Sequence, residues 1–250
     1  MDLFVAGAGP AYTARPGAVG AAHLLTEDGH AIVLDLGHGA YARLAGAREP
    51  STLDAVIVSH LHPDHFVDLV PLRHYLRYEF EPPRRVRVVA PLGLDRRLDD
   101  LHGEPGFSAE TLDVEVLQPG VRTIGPFAVE ARRVTHTDDS YAFRVTAVAR
   151  PASPGLVYSG DCGRGDDLVP LIRTGDALLV EASFGTGPVP VGDLHLDAAA
   201  VTRAASAGGA GRVLLTHILG TYDPDAVVAS VRAGFAGDVR AVAPGDLIPV

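Results

Sequence analysis

Leu53-Asp54-Ala55-Val56-Ile57-Val58-Ser59-His60-Leu61-His62-Pro63-Asp64-His65 is the stretch from which the fold follows. Its apolar opening reads as a buried strand. It runs directly into four candidate metal ligands, His60, His62, Asp64 and His65, within six positions. Side chains of an extended chain alternate with period two, so His60 and His62 are expected to face the same way. Pro63 then bends the chain and lets Asp64 and His65 approach from another direction. Neutral imidazole and carboxylate suit a borderline cation such as Zn²⁺, and a catalytic site keeps one coordination position open for water. A His-rich surface loop is the bland alternative, but this density at one strand end is a poor chance outcome even with 11 His in the chain.

Outward from this stretch, short apolar runs separated by turn residues predict strands over Ala31–Asp35, Leu53–Ser59, Arg85–Ala90, Phe127–Arg133, Tyr141–Val148, Leu156–Ser159, Ala177–Ala182 and Arg212–Thr216. Helical periodicity predicts Val67–Tyr78, Leu92–Leu101, Asp167–Arg173, Leu196–Ala207 and Pro224–Phe235, the last with Asp223 as its N-cap. No long linker or solenoid repeat divides the chain, so residues 1–250 are expected to form one domain. The Gly/Pro-rich pieces Gly7–Gly17 and Gly185–Gly192 read as functional loops.

The 250 residues are 47% hydrophobic, and Asp plus Glu at 31 outnumber Lys plus Arg at 21, for a net charge of −10. Nucleic-acid binding by bulk charge is thereby excluded. A single cysteine, Cys162, excludes an intrachain disulfide and a cysteine-based zinc site. With no basic leader and no apolar run of roughly 18 residues, the expectation is a cytoplasmic protein without a membrane span.

The His-x-His-x-Asp-His pattern of residues 60–65 resembles the metallo-β-lactamase superfamily of binuclear metallohydrolases. The resemblance implies an αβ/βα sandwich: two mixed sheets packed face to face, helices outside, metals at the edge where strand ends meet. It also implies three further ligands: His136 in Arg133-Val134-Thr135-His136, Asp161 in Ser159-Gly160-Asp161, and His217 in Leu215-Thr216-His217. One ion would be held by His60, His62 and His136 and the other by Asp64, His65 and His217, with Asp161 shared. The cofactors implied are two divalent ions, Zn²⁺ by preference, with Mn²⁺ or Fe²⁺ also accepted by such donors. Val5-Ala6-Gly7-Ala8-Gly9-Pro10 resembles the opening Gly-rich loop of the family, and Ala31–Gly37 resembles its strand ending in Asp-x-Gly. Asp35 is thus a candidate support for the ligand loop.

Within the superfamily, Gly192-Asp193-Leu194-His195-Leu196 and Val180-Glu181-Ala182 resemble the ribonuclease Z-like phosphodiesterase branch, where a loop His paired with Glu contacts the scissile phosphate. Leu196 and Asp197 replace that loop's small hydroxyl residues, and Val180 replaces the His that leads the Glu segment. The tRNA-processing members carry a long arm between the ligands matching His136 and Asp161; here only 25 positions separate them. The resemblance therefore implies a phosphodiesterase for a small, nucleotide-like substrate and not tRNA, with Asp64, His195 and Glu181 catalytic: Asp64 orienting a metal-bridging hydroxide, His195 assisting the leaving group. Hydrolysis of carboxylic esters, thioesters or lactones on the same site, and a non-catalytic metal-binding role, are the alternatives. The resemblance also implies a homodimer as one form such members take. Cys162 is read as packing, the Arg84-Arg85-x-Arg87 and Arg96-Arg97 clusters as solvated charge pairs, and His38 and His74 as the unassigned histidines nearest a pocket.

Overall fold

A computed structural model describes residues 1–250. Fourteen strands form two sheets of seven. The first runs, edge to edge, β14 (Leu247–Pro249), β1 (Asp2–Gly7), β2 (Ala22–Glu27), β3 (His30–Leu34), β4 (Ala55–Ile57), β5 (Val86–Ala90) and β6 (Leu112–Val116). The second runs β13 (Asp238–Ala241), β12 (Arg212–Thr216), β11 (Ala177–Glu181), β10 (Leu156–Tyr158), β9 (Tyr141–Ala147), β8 (Phe127–Arg133) and β7 (Gly120–Ile124). Both sheets are mixed: β3 through β6 are parallel, as are β10 through β13, while the remaining pairings are antiparallel.

Strand periodicity decides which side chain enters which layer. In β1, Leu3 and Val5 enter the core between the sheets, whereas Ala6 turns to the outer layer. In β4, Ala55 and Ile57 face inward and Val56 faces outward. In β12, Leu214 faces inward while Val213 and Leu215 face outward. Both faces of these strands are covered, which is why their sequences are continuously apolar. On the first sheet the cover is α1 (Tyr41–Ala47), α3 (Leu69–Tyr78) and α4 (Leu94–His102), through Leu44, Leu72, Leu76 and Leu98. On the second it is α5 (Ala198–Gly208) and α6 (Pro224–Arg232), through Val201, Ala205, Val227 and Val231. Helix, sheet, sheet and helix make the four expected layers.

Asp197 and Asp223 cap α5 and α6, accepting from the amides of Ala200 at 2.8 Å and Asp225 at 3.1 Å. Three expectations are corrected. The strand expected over Leu53–Ser59 contracts to Ala55–Ile57, because Ser59 gives its amide to a side chain instead of a neighbouring strand. The helix expected over Val67–Tyr78 begins at Leu69, as α3, and a separate unexpected turn of helix, α2 (Pro63–Phe66), precedes it; Asp68 lies between them and accepts from the Tyr41 amide. No α-helix covers Asp167–Arg173; a single 3₁₀ turn spans Gly165–Asp167. Pro170 removes a helical donor there, while Leu168, Leu171 and Ile172 still fill the outer core. No helix of the protein is long and apolar enough to cross a membrane.

Candidate metal centre

The C-terminal ends of the parallel strands converge at one edge of the sandwich. Asp35 follows β3, the ligand-rich loop follows β4, Asp161 follows β10, Glu181 ends β11 and His217 follows β12. His136 joins them from the turn between β8 and β9. This is where parallel sheets gather ligands, because loops there are free of sheet hydrogen bonds and surrounded by positioned strand ends.

All seven expected ligands meet in two groups: His60, His62, His136 and Asp161; and Asp64, His65, Asp161 and His217, with the donor atoms of each group within 4.8 Å of one another. In the first, His60 Nε2 and His136 Nε2 lie 3.0 and 3.2 Å from His62 Nδ1, and both are 3.7 Å from Asp161 Oδ2. In the second, Asp161 Oδ1 is 3.3 Å from His65 Nε2 and 3.5 Å from His217 Nε2, and Asp64 Oδ2 is 3.2 Å from His217 Nε2. The two oxygens of Asp161 thus face different groups, the arrangement a shared carboxylate requires. His60 and His62 converge because the chain turns after β4 and not by strand alternation, since β4 ends at Ile57.

The donor set fits divalent cations. Ligand atoms bonded tetrahedrally to Zn²⁺ at 2.0–2.1 Å stand about 3.3 Å apart, which is the spacing found here. His65 Nε2 and Asp161 Oδ1 are both buried and without a hydrogen-bond partner despite their proximity. Two such atoms, near but misaligned, point past each other to a common third position. Burial alone would raise the Asp161 carboxyl; His217, His65 and His60 outweigh it and hold the group well below the usual carboxylate range. Burial lowers His60 well below its ordinary value, with His65 adding to the effect, so it is a neutral donor. Burial would also depress His65, but Asp161 and Asp35 raise it well above the ordinary value.

Local backbone explains how the ligands are aimed. Asp35 and His217 adopt left-handed conformations, φ 60° and 56°, where a non-glycine residue is strained by roughly 1–3 kcal/mol. The Asp35 amide donates to Ile57 O at 2.8 Å and the His217 amide to Ala8 O at 2.9 Å, which hold these turns. Asp35 is fully buried and accepts from the Ser59 amide at 2.6 Å, Ser59 Oγ at 2.8 Å, Tyr158 Oη at 2.6 Å and His65 Nδ1 at 2.7 Å. It therefore presents the other nitrogen of His65 to the centre. The small residue of the Asp-x-Gly motif has a steric role: a Cβ on Gly37 would lie 1.7 Å from Asp64 O.

His195 and Glu181 sit beside the ligands. Glu181 is fully buried; its Oε1 accepts from His195 Nδ1 at 2.9 Å and the Cys162 amide at 3.0 Å, and its Oε2 from the Ser183 amide and hydroxyl at 2.9 and 2.7 Å. Burial would lower His195, but Glu181 raises it to about 9. Its Nδ1 is thus engaged by Glu181, which leaves Nε2 for a substrate. The His195 and His136 ring centroids are 4.8 Å apart, and His195 lines a pocket of about 430 Å³ with Asp64 and Asp161.

Sequence reading missed Ser183, whose hydroxyl is 3.0 Å from His217 Nδ1 and joins that ligand to Glu181. It also missed Tyr158 and Ser59 as partners of Asp35; no local pattern announces such distant hydrogen bonds. Of the histidines near a pocket, His74 is held instead by Val70 O at 2.8 Å and packs against Phe107, and His38 is not among the residues lining the 430 Å³ pocket. Cys162 is buried and its thiol is pushed up by burial, which makes it inert packing. Arg85 and Arg87 pair on the surface with Asp113 at 2.5 Å and Glu115 at 2.7 Å.

The fold and the clustered donors define a metallo-β-lactamase-type metallohydrolase. The Beta-lactamase superfamily domain family matches residues 30–218, and the chain belongs to it. An "Uncharacterized protein" of Mycobacterium leprae (strain TN) is 32% identical over 225 residues, 88% of this chain and 78% of that one. The "Probable metallo-hydrolase YhfI" of Bacillus subtilis (strain 168) is 24% identical over 218 residues, 87% of each chain; its crystal structure superposes with a TM-score of 0.86 at 23% identity, covering 99% of both. A "Ribonuclease Z" of Bradyrhizobium sp. (strain ORS 278) is 27% identical over 268 residues, 85% of this chain and 88% of that one.

Proposed function

We propose that this chain is a phosphodiesterase acting on a small, nucleotide-like diester with two divalent ions, zinc by preference, held by His60, His62 and His136 on one side, Asp64, His65 and His217 on the other, and Asp161 between. The observation that carries the reading is His195, bonded through Nδ1 to the buried Glu181 at 2.9 Å at the edge of the donor cluster. When bound, the ions supply Lewis acidity toward the phosphoryl oxygens and toward water.

The chain's own residues do the rest. Asp64 offers a carboxylate at the pocket wall that accepts a hydrogen bond from the attacking water and orients it. As the water oxygen bonds to phosphorus, the bond to the leaving oxygen breaks and His195 Nε2 donates its proton there. The proton released by the water restores the imidazolium, and Glu181 keeps the ring in place throughout. A ribonuclease Z among the relatives supports phosphodiester chemistry. The connection Val148–Gly155 between β9 and β10 leaves no inserted arm between His136 and Asp161, and the net charge of −10 supports a substrate smaller than tRNA.

The test is turnover by the metal-loaded protein of a dinucleoside phosphate, bis(p-nitrophenyl) phosphate, a p-nitrophenyl ester and a lactone. His195→Ala is expected to lose roughly 10²–10⁴-fold on the dinucleoside phosphate, whose alkoxide must be protonated, and much less on the nitrophenyl diester, whose phenolate leaves unaided. Asp64→Ala is expected to abolish both. Ester or lactone turnover surviving His195→Ala, with no diester turnover, overturns the proposal.

A further inference from the structure

One aromatic side chain at the pocket has no structural employment. Tyr12 is 74% exposed, yet it lines the same pocket as Asp64, Asp161 and His195. An exposed ring contributes little to the core, and aromatic surface left open at a pocket marks a contact for something else. The backbone beneath it is fastened. Arg15 donates to Ile218 O and Leu219 O, each at 3.1 Å, and to Tyr222 O. The Gly9 amide donates to Val19 O at 2.8 Å. Gly220 packs so closely that a Cβ there would be 2.9 Å from Thr13 Oγ1. The loop carrying Tyr12 is thus tied to the one that follows His217, and the ring is held out at the pocket on a restrained base, which lowers the ordering cost of binding.

The other walls say what such a ring would meet. None of the 13 residues lining the pocket is Arg or Lys, and Asp193 adds negative charge. The part of a substrate that extends away from the scissile phosphate finds no cationic partner here, so its recognition falls to an apolar or aromatic face. Phe184 already lies beside His195, ring centroids 6.3 Å apart. We propose that Tyr12 is a specificity-determining residue: it stacks against the aromatic group, a nucleobase or an aryl ring, of a singly charged phosphodiester whose phosphate lies at the metal ligands. This rests on the phosphodiesterase reading and adds the group that the site selects.

Direct binding tests it with a readout separate from catalysis, the heat of diester hydrolysis being measured in parallel and subtracted. Calorimetric titration of the zinc-loaded protein with diphenyl phosphate and with diethyl phosphate compares equal charges with and without a ring. The wild type is expected to prefer diphenyl phosphate by roughly five- to hundred-fold, the range of one aromatic stack. Tyr12→Ala is expected to erase that preference with diethyl phosphate affinity unchanged, and Tyr12→Phe to retain it, because the ring face and not the hydroxyl is used. Equal binding of the two diesters by the wild type, or a preference that survives Tyr12→Ala, overturns the platform while leaving the phosphodiester reading standing. Binding of neither diester at verified zinc occupancy overturns both.

Discussion

Replacing Asp35 with Asn is the sharpest probe of how the ligand loop is held. The carboxylate accepts four hydrogen bonds, from the Ser59 amide at Oδ1 and from Ser59 Oγ, His65 Nδ1 and Tyr158 Oη at Oδ2, all of 2.6–2.8 Å. An amide of the same shape has one accepting end. If its oxygen takes the Oδ2 place, its NH₂ faces the Ser59 amide; if reversed, its NH₂ faces three donors. In either orientation at least one bond to a charge becomes a donor facing a donor in a fully buried site. Bonds to charged groups contribute about 1.5–3 kcal/mol and an unsatisfied buried donor costs about 1–3 kcal/mol. The expected loss is about 3–5 kcal/mol, the range for breaking a buried pair by removing one partner. Urea unfolding of the metal-free protein at neutral pH measures it. Zinc titration is expected to show roughly 10–100-fold weaker binding, because His65 loses the partner that orients it. His65 is also expected to titrate lower by NMR, since Asp35 is one of the carboxylates raising it. Destabilisation below about 1 kcal/mol together with unchanged zinc affinity would refute the reasoning.

Gly37→Ala is expected to disable the centre, because the new Cβ would meet Asp64 O at 1.7 Å; overpacking of this kind costs about 1–3 kcal/mol or more, and a thermal melt with zinc titration checks both stability and ligand geometry. Burial, and then His65 and His217, push His23 down from 6.5 to about 3. The unfolded chain therefore takes up a proton that the folded chain refuses: this group's contribution to stability is whole above about pH 6.5 and is lost as pH falls toward 3, about 2 kcal/mol of it by pH 5. His23→Phe is expected to remove that part of the slope in urea unfolding between pH 7 and pH 5, and an unaltered slope would contradict it. Zinc at roughly a thousandfold excess over its dissociation constant should stabilise the stripped protein by about 4 kcal/mol, read as a rise of roughly 8–16 °C in Tm; no rise would refute the fit of the donor set.

The dense cluster at residues 60–65 was legible from the residues themselves, whereas His136, Asp161 and His217 were expected through the family resemblance; all seven candidate donors converge in the fold. Asp223 and Pro224 announced the start of α6 for a similarly local reason. Elements without such markers went unread. β1, β2, β6, β7 and β14 and the helices α1 and α2 were not predicted; the edge strand β6, for example, exposes Asp113, Glu115 and Val116 and so lacks a clear apolar pattern. Asp167–Arg173 was misread because Leu168, Leu171 and Ile172 carry helical spacing while Pro170 forbids the helix.

Local chemistry in the chain by itself determined the donor types, their order and the strands that deliver them, because alternation and turn residues act over a few positions. The tertiary structure alone decided which oxygen of Asp161 faces which group, that Asp35 gathers Ser59, His65 and Tyr158, that Ser183 links His217 to Glu181, and that Tyr12 stands open at the pocket. These contacts join residues up to 123 positions apart. Their geometry is set by the packing of two sheets, a property that no local window of sequence contains.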